Sequence, residues 1–259
     1  MKIVVFKNTD LLSKFISNLL VNKIKKNPKS VIGFATGGTF LKTYEYLIKD
    51  HQENGTDWSK VTTFNLDEFL GISKKNEQSF YQQMHLNLFN KINVKKANVN
   101  ILDSQTKNYL KEVIRFEKKI QEYKIDIQLA GVGNNGHIGY NEPPTDENAI
   151  TRLVDLSKET LDQLLQNKSF ATYEEIPKQA LTVGPKTLLE NTHMVLIAAI
   201  GVAKAEIMSR ILNGAISPNY PASFMKKHKN AVFLLTQESA SKIDFKLINS
   251  DYEIVFVNE

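Results

Sequence analysis

The feature that most constrains the fold is an alternation of short apolar runs with longer segments of helical period. The runs are rich in β-branched residues, as buried strands are, and lie at Ile3–Phe6, Ser30–Ala35, Val61–Asn65, Val99–Leu102, Ile125–Val132, Met194–Ala199, Ala231–Thr236 and Ile254–Val257. Amphipathic helices are predicted between them, most clearly at Leu11–Ile24, Leu41–Ile48, Tyr109–Tyr123 and Lys204–Leu212. This alternation predicts an α/β fold with a doubly wound, mostly parallel, Rossmann-like sheet and helices on both faces.

One segment, residues 143–177, departs from this alternation. It is polar, begins with Pro143-Pro144, has a weak helical pattern at Leu156–Leu165 and shows no convincing strand. Such a segment suits a mobile lid over a site. Because no repeat or linker-like stretch marks a boundary, residues 1–259 are predicted to form a single domain.

Composition excludes several classes of protein. The chain has no cysteine, which removes disulfide-stapled, zinc–thiolate, iron–sulfur and cysteine-nucleophile proteins. The net charge of +5 comes from lysines spread along the chain, and no aromatic residues interleave with the short basic runs, so we expect no nucleic-acid partner. Residues 1–7 are too short for a signal peptide and no segment reaches the length of a membrane span, so we expect a cytoplasmic protein without a membrane partner.

Ligands of open α/β sheets bind at the carboxyl ends of the strands, and three strand ends here are unusual. The first carries Thr36, Gly37, Gly38 and Thr39 before a helical segment. Adjacent glycines let backbone N–H groups turn toward an anion, and the helix N-terminus and the hydroxyls complete a candidate phosphate site. A threonine-capped turn explains these residues equally well, and the Gly-Lys-Ser/Thr of a Walker A loop is missing.

The second strand end carries two acids, Asp67 and Glu68, between Phe64 and Phe69. A carboxylate in an apolar pocket is partly desolvated, which raises its basicity and suits it to removing a carbon-bound proton. The spacing alone favours another interpretation, in which Asp67 caps the next element and Glu68 is solvated.

The third strand end contains Gly131, Gly133 and Gly136 in a G-x-G-x-x-G pattern, with Asp155 near the distance of a ribose partner. Dinucleotide binding is disfavoured because Pro143-Pro144 would end the long helix that such a motif opens.

Proton transfer suits this third strand end better. The His137 imidazole titrates near neutrality, and Glu142 can orient it, although a structural histidine beside a capping glutamate is the common alternative. A divalent metal on Asp67, His137 and Glu142 is ranked lower, because no second histidine lies at ligand spacing. Further along the chain, Lys204 follows a strand and opens a helix, where a phosphate could meet it.

Taken together, these motifs resemble glucosamine-6-phosphate deaminases over nearly the whole chain. They are Thr36–Thr39, Phe64–Glu68, Gly131–Pro143, Ala180–Gly184, Gly201–Lys204 and Pro221–Ser223. The resemblance implies a small-molecule substrate and the conversion of D-glucosamine 6-phosphate and water to D-fructose 6-phosphate and ammonia, with no cofactor and no metal. It also implies that the protein is a monomer or a homo-oligomer.

The resemblance assigns a role to each matched residue. His137 assists the opening of the sugar ring, Glu142 holds and polarises His137, and Asp67 moves a proton from C2 to C1. The loop 36–39 and Lys204 hold the phosphate.

Three positions depart from the family pattern. One is Phe40, which replaces the usual proline after the loop 36–39. Asn135 stands where many members carry an aspartate beside the catalytic histidine, and an amide can orient the ring without supplying charge. Lys168 is the nearest candidate for the lid's phosphate-binding arginine, and it would give a point-charge contact in place of a bidentate one.

Other functions stay open on the sequence alone. A 6-phosphogluconolactonase of the same fold needs a phosphate loop and a histidine but not the Asp67 proton shuttle. A non-catalytic sugar-phosphate sensor is a second alternative, and a nicotinamide enzyme is a distant third.

Overall fold

The computed structural model describes residues 1–250 and 252–259. The strands are, in chain order, β1 (Lys2–Phe6), β2 (Val31–Phe34), β3 (Thr62–Asn65), β4 (Asp67–Phe69), β5 (Val99–Asn100), β6 (Ile125–Gly131), β7 (Arg152–Asp155), β8 (Gln179–Thr182), β9 (Thr192–Ala199), β10 (Ala231–Thr236) and β11 (Glu253–Val257). The helices are α1 (Thr9–Lys26), α2 (Leu41–Asn54), α3 (Phe80–Asn87), α4 (Tyr109–Tyr123), α5 (Lys158–Gln166), α6 (Pro185–Asn191), α7 (Ala205–Asn213) and α8 (Gln237–Ala240). None of these helices combines the length and the apolar character needed to cross a membrane.

The main sheet confirms the predicted fold class. Within the described residues, eight strands pair in the order β11-β1-β10-β9-β6-β2-β3-β5, and every pairing between them is parallel. They correspond to the eight runs predicted from the sequence. The side chains of the inner strands are almost continuously buried, as expected for a parallel sheet with helices around it, whereas the edge strand β11 is half-buried or exposed.

The strand order also shows where a ligand should bind. From β2 the chain moves outward through β3 to β5, and from β6 it moves the other way through β9 and β10 to β11. The direction therefore reverses between β2 and β6, which are hydrogen-bonded neighbours. The carboxyl ends of two strands at such a switch point open a crevice between the connections that follow them.

A small second sheet corrects the prediction that the lid lacks a strand. In the described part of the chain, β4, β8 and β7 form an antiparallel sheet, and β7 lies inside the segment 143–177. The strand was missed because three of its four residues are half-buried and the fourth is exposed, which leaves no alternation to detect. The helix predicted at Leu156–Leu165 is confirmed as α5.

Segment 143–177 packs on a second, smaller core. Its residues Leu156, Leu161, Phe170 and Ile176 are buried against Phe69, Phe80 and Tyr140, apart from the main core around the parallel sheet. Phe69 makes ring contacts with Phe80, Tyr140 and Phe170 at centroid distances of 4.9, 5.5 and 5.9 Å. The segment is therefore anchored by an aromatic cluster beside the crevice.

Candidate active site

A cavity of about 440 Å³ lies at the switch point, as the strand order requires. It brings together most of the residues singled out from the sequence. Those in its lining are Thr36, Gly37, Gly38, Thr39, Asp67, His137 and Lys204. Asn135 and Glu142 lie just behind this lining, and Lys168 lies outside it.

Two loops at one end of the cavity share the same construction. Gly37 (φ 96°) and Gly201 (φ 79°) each adopt a backbone conformation that favours glycine, and each precedes a turn of 3-10 helix that leads into α2 or α7. Helix N-termini carry unpaired N–H groups and a positive potential, so both loops favour an anion.

Lys204 supplies the positive side chain at this end. Its Nζ lies 2.5 Å from Asn134 Oδ1, so its hydrogen-bond partner among the described residues is an amide and not a carboxylate. Burial lowers the pKa of the Lys204 ammonium. A bound phosphate would offset that desolvation by charge pairing.

Asp67 also lines the cavity and is held by the second sheet. In β4 it pairs with Thr182 of β8. A Cβ placed on Gly139 would lie 3.4 Å from Asp67 Oδ2 and 3.0 Å from Thr182 Oγ1, so this glycine permits the chain to pass close to the carboxylate. Among the described residues no side chain or N–H group donates to the Asp67 carboxylate. Burial, together with the charge of Glu68, raises the pKa of Asp67 to about 8.

Glu68 is fully buried and, unlike Asp67, is surrounded by hydrogen-bond donors. Its carboxylate accepts hydrogen bonds from the backbone N–H groups of Phe69 (2.9 Å), Phe80 (3.0 Å) and Tyr81 (2.8 Å). Burial raises the pKa of Glu68, and these three donors oppose that rise. Glu68 therefore ties β4 to the start of α3, and the expectation of a solvated Glu68 is wrong.

His137 is oriented by Asn135. The Oδ1 atom of Asn135 accepts a hydrogen bond from the His137 backbone N–H at 3.2 Å and lies 2.7 Å from His137 Nδ1. Because an amide oxygen only accepts, Nδ1 carries the proton and Nε2 keeps its lone pair. The ring also packs against Gly133, where a Cβ would lie 2.1 Å from a ring atom.

The expectation that His137 titrates near neutrality needs correction. Burial lowers the pKa of His137 to about 4, the nearby charge of Lys204 lowers it further, and the charge of Glu142 opposes them. The ring is therefore neutral at pH 7 and can accept a proton at Nε2.

Glu142 contacts segment 143–177 and not the histidine. Its carboxylate accepts hydrogen bonds from the Ser157 N–H (2.7 Å), the Ser157 hydroxyl (3.0 Å) and the Thr160 hydroxyl. Ser157 is also the N-cap of α5. The acid thus reaches His137 through its charge alone in this structure, while it fastens the first turn of the lid helix.

Several amide side chains in the cavity lining escaped the sequence reasoning. Gln78 and Gln83 enter from the α3 region, and Gln163 and Asn167 enter from the lid. The lid residues Thr160, Gln163, Leu164 and Asn167 follow helical spacing, which could have identified the inward face of α5 once its helix was predicted. Lys168 follows this helix with a φ of 56° and an exposed side chain.

The structure also addresses two alternatives from the sequence. The G-x-G-x-x-G pattern after β6 leads into a tight turn, with the Gly136 N–H donating to the Gly133 carbonyl, and the next regular element is β7. The helix of a dinucleotide fingerprint does not follow. Across residues 1–250 and 252–259, no three His, Asp or Glu side chains are grouped so that they could hold a metal ion.

Comparison with known proteins matches nearly the whole chain. A family model described as glucosamine-6-phosphate isomerases/6-phosphogluconolactonase matches residues 8–234. The glucosamine-6-phosphate deaminase of Clostridium novyi is 41% identical over 94% of this chain and 100% of its own length. That of Mycoplasmopsis pulmonis is 38% identical over 94% of this chain and 95% of its own length.

Solved structures show the same relationship. A monomeric glucosamine-6-phosphate deaminase has a TM-score of 0.89 at 34% identity, covering 93% of this chain and 100% of its own. A 6-phosphogluconolactonase from Trypanosoma cruzi has a TM-score of 0.72 at 19% identity, covering 93% of this chain and 96% of its own. At 19% identity, the similarity to the 6-phosphogluconolactonase shows a shared fold alone.

Proposed function

The chain belongs to the family of glucosamine-6-phosphate isomerases and 6-phosphogluconolactonases, and we propose that it converts D-glucosamine 6-phosphate and water to D-fructose 6-phosphate and ammonia. The observation that carries this proposal is the Asp67 carboxyl. It is buried, accepts no hydrogen bond from the described residues, and has a pKa raised to about 8 in the wall of the cavity. A group that takes and returns one proton works best when its pKa lies near the operating pH.

The proton transfer between carbons is assigned to Asp67. In the open-chain sugar, Asp67 takes the proton from C2 while the C1 oxygen takes up a proton from solvent, which gives an enolamine. Asp67 then returns its proton to C1, which leaves an iminium ion at C2. Water adds to that carbon, and the C–N bond breaks to release ammonia, leave the ketone and return one proton to solvent. Glu68 would fix the strand that presents Asp67.

Ring opening is assigned to His137. With Nδ1 held by Asn135, Nε2 can take the proton of the C1 hydroxyl and pass it to the ring oxygen as the C1–O5 bond breaks. The imidazolium formed in passing is favoured by the charge of Glu142. The role of Glu142 is therefore electrostatic in this proposal.

The phosphate of the substrate is placed at the other end of the cavity. The loop 36–39 would offer its backbone N–H groups and hydroxyls, and Lys204 its charge. We further propose that segment 143–177 acts as a mobile lid on one domain spanning residues 1–259. Action in the cytoplasm, without a metal or cofactor, completes the proposal.

A 6-phosphogluconolactonase is the second candidate within the family. Ester hydrolysis needs an activated water beside His137, and it gives no task to a buried carboxyl whose pKa lies near neutrality. Asp67 therefore favours the deaminase.

The test compares the unsubstituted protein with Asp67→Asn. We expect the protein to release ammonia and fructose 6-phosphate in equal amounts, and we expect the variant to bind substrate but release neither product. Turnover by Asp67→Asn within a few fold of the parent would remove Asp67 from the mechanism. Hydrolysis of 6-phosphogluconolactone, without ammonia release from the amino sugar, would support the second candidate.

A further inference from the structure

The lid helix turns a neutral face toward the cavity. Gln163 and Asn167 lie four residues apart on this face. Lys168 comes after the end of the helix with a left-handed backbone (φ 56°), and its side chain is exposed outside the cavity lining. The positive charge expected from the lid is thus replaced at the cavity by amides.

Gln163 lies at the phosphate end of this face. Gln163 and Asn134 both line the cavity, and both also line a surface cleft that adjoins it. They therefore share one rim. Asn134 accepts the hydrogen bond from Lys204 Nζ at 2.5 Å, so this rim is also the position of the lysine assigned to the phosphate.

We propose that Gln163 is the lid residue that binds the substrate phosphate, with its amide N–H group donating to a phosphate oxygen. This inference rests on the function proposed above. The amide adds a directional hydrogen bond without adding charge. The full positive charge at the phosphate then comes from Lys204, and the N-terminus of α2 supplies the remaining positive potential.

The experiment measures the binding of inorganic phosphate by titration calorimetry. The unsubstituted protein is compared with Gln163→Ala, Lys168→Ala and Gln166→Ala. Gln166 is a matched control, because it is a glutamine of the same helix that lines the adjoining cleft but not the cavity. We expect Gln163→Ala to raise the dissociation constant about tenfold, as the loss of one hydrogen bond to a charged group does. The dissociation constants of Lys168→Ala and Gln166→Ala should stay within about twofold of that of the unsubstituted protein.

A second measurement follows the KM for glucosamine 6-phosphate, which should rise in Gln163→Ala in parallel. Unchanged phosphate binding in Gln163→Ala would overturn the proposal, even if the KM rises, because the amide would then contact the sugar. An equal loss in Lys168→Ala would overturn it as well, and so would the absence of phosphate binding by the unsubstituted protein. If that protein binds phosphate but does not release ammonia, the proposed reaction fails while the titration still decides the role of Gln163.

Discussion

Asp67 and Glu68 are adjacent buried acids whose pKa values are both raised, and their different hydrogen bonding separates their roles. Glu68 accepts three backbone N–H groups, whereas Asp67 is open to the cavity. The charge of Glu68 contributes to the raised pKa of Asp67. The structure therefore assigns Glu68 an influence on catalysis without contact with substrate.

Glu68→Gln tests this influence. Removing the negative charge lowers the pKa of Asp67. Because Asp67 must be deprotonated to take the C2 proton, kcat/KM rises with pH through that pKa. We therefore expect the acidic limb of the pH profile of kcat/KM to move to lower pH in this variant.

The control for this prediction is Glu117→Gln. Glu117 is a buried acid that accepts hydrogen bonds from the Thr151 N–H and from the Thr151 and Thr187 hydroxyls, and it lies outside the cavity lining. We expect Glu117→Gln to lower the melting temperature without shifting the pH profile of kcat/KM. A profile that shifts equally in both variants would show a general effect of destabilisation.

Asn135→Asp tests how the neutral amide sets the protonation of His137. A carboxylate beside Nδ1 favours the imidazolium, so we expect the pKa of His137 to rise from about 4 by about one unit or more. Histidine side-chain NMR as a function of pH measures this directly, with the other histidines of the same protein as internal references. An unchanged midpoint would mean that burial alone sets the pKa.

Some residues of the site could be predicted from the sequence and others could not. Asp67 and His137 stood out because acids after an apolar strand, and a histidine among glycines, are unusual. Gln163 carried no such signal, since an amide on a polar helix is ordinary. Helical spacing could place it on one face of α5 with Thr160 and Asn167, and the structure shows that this face lines the cavity.

At the scale of elements, the lid helix and Glu142 stabilise each other. Ser157 caps α5 by accepting from the Thr160 N–H at 3.2 Å, and its own N–H and hydroxyl both donate to Glu142. We expect Ser157→Ala to destabilise the first turn of α5 by about 1 kcal/mol, as the loss of a cap does. Hydrogen exchange across Lys158–Gln166 should then speed up about fivefold.

Ser79→Ala is the matched control for the lid. Ser79 caps α3 in the same way, by accepting from the Gln82 N–H at 3.1 Å, and it does not contact Glu142. Exchange in that variant should rise in α3 and stay unchanged in α5. If Ser157→Ala leaves exchange in α5 unchanged, the hydrogen bonds to Glu142 do not hold the lid.

The strands differ in whether the local sequence alone predicts them. Inner strands of the parallel sheet such as β2, β6 and β10 are buried on both faces, so each appears as a largely apolar run. The second sheet is different, because β4 contains two acids that rarely favour strands and β7 is half-exposed. These strands exist through their pairing with β8, and a long-range pairing leaves no local pattern.

For the molecule as a whole, the switch point between β2 and β6 gathers residues that are far apart in the chain. The loop 36–39 follows β2, and the loop containing His137 follows β6, so their strands bring them together. Sequence analysis could anticipate this part of the site from strand order in α/β folds. The sequence suggested an apolar pocket for Asp67 but not a buried carboxyl without a hydrogen-bond donor among the described residues, and that burial has a consequence for the stability of the entire protein.

The burial of Asp67 makes the free energy of unfolding depend on pH in a direction that its pKa sets. The folded protein holds the Asp67 proton up to about pH 8, whereas the unfolded chain releases it near pH 4. Between these values the folded state binds more protons, so this residue makes the free energy of unfolding fall as pH rises. Asp67→Asn removes the titration. We expect the variant to be more stable than the parent, by a margin that widens from about pH 5 to about pH 8 and then stays constant.

Urea denaturation at a series of pH values measures this margin, and Asp57→Asn serves as a control of opposite sign. Hydrogen bonds from Ser59 lower the pKa of the exposed Asp57, so its carboxylate stabilises the folded state above its unfolded pKa. We therefore expect Asp57→Asn to be less stable than the parent at neutral pH. A constant margin for Asp67→Asn across this range would show that Asp67 is ionised in the folded protein, and the proton-transfer role would lose its physical basis.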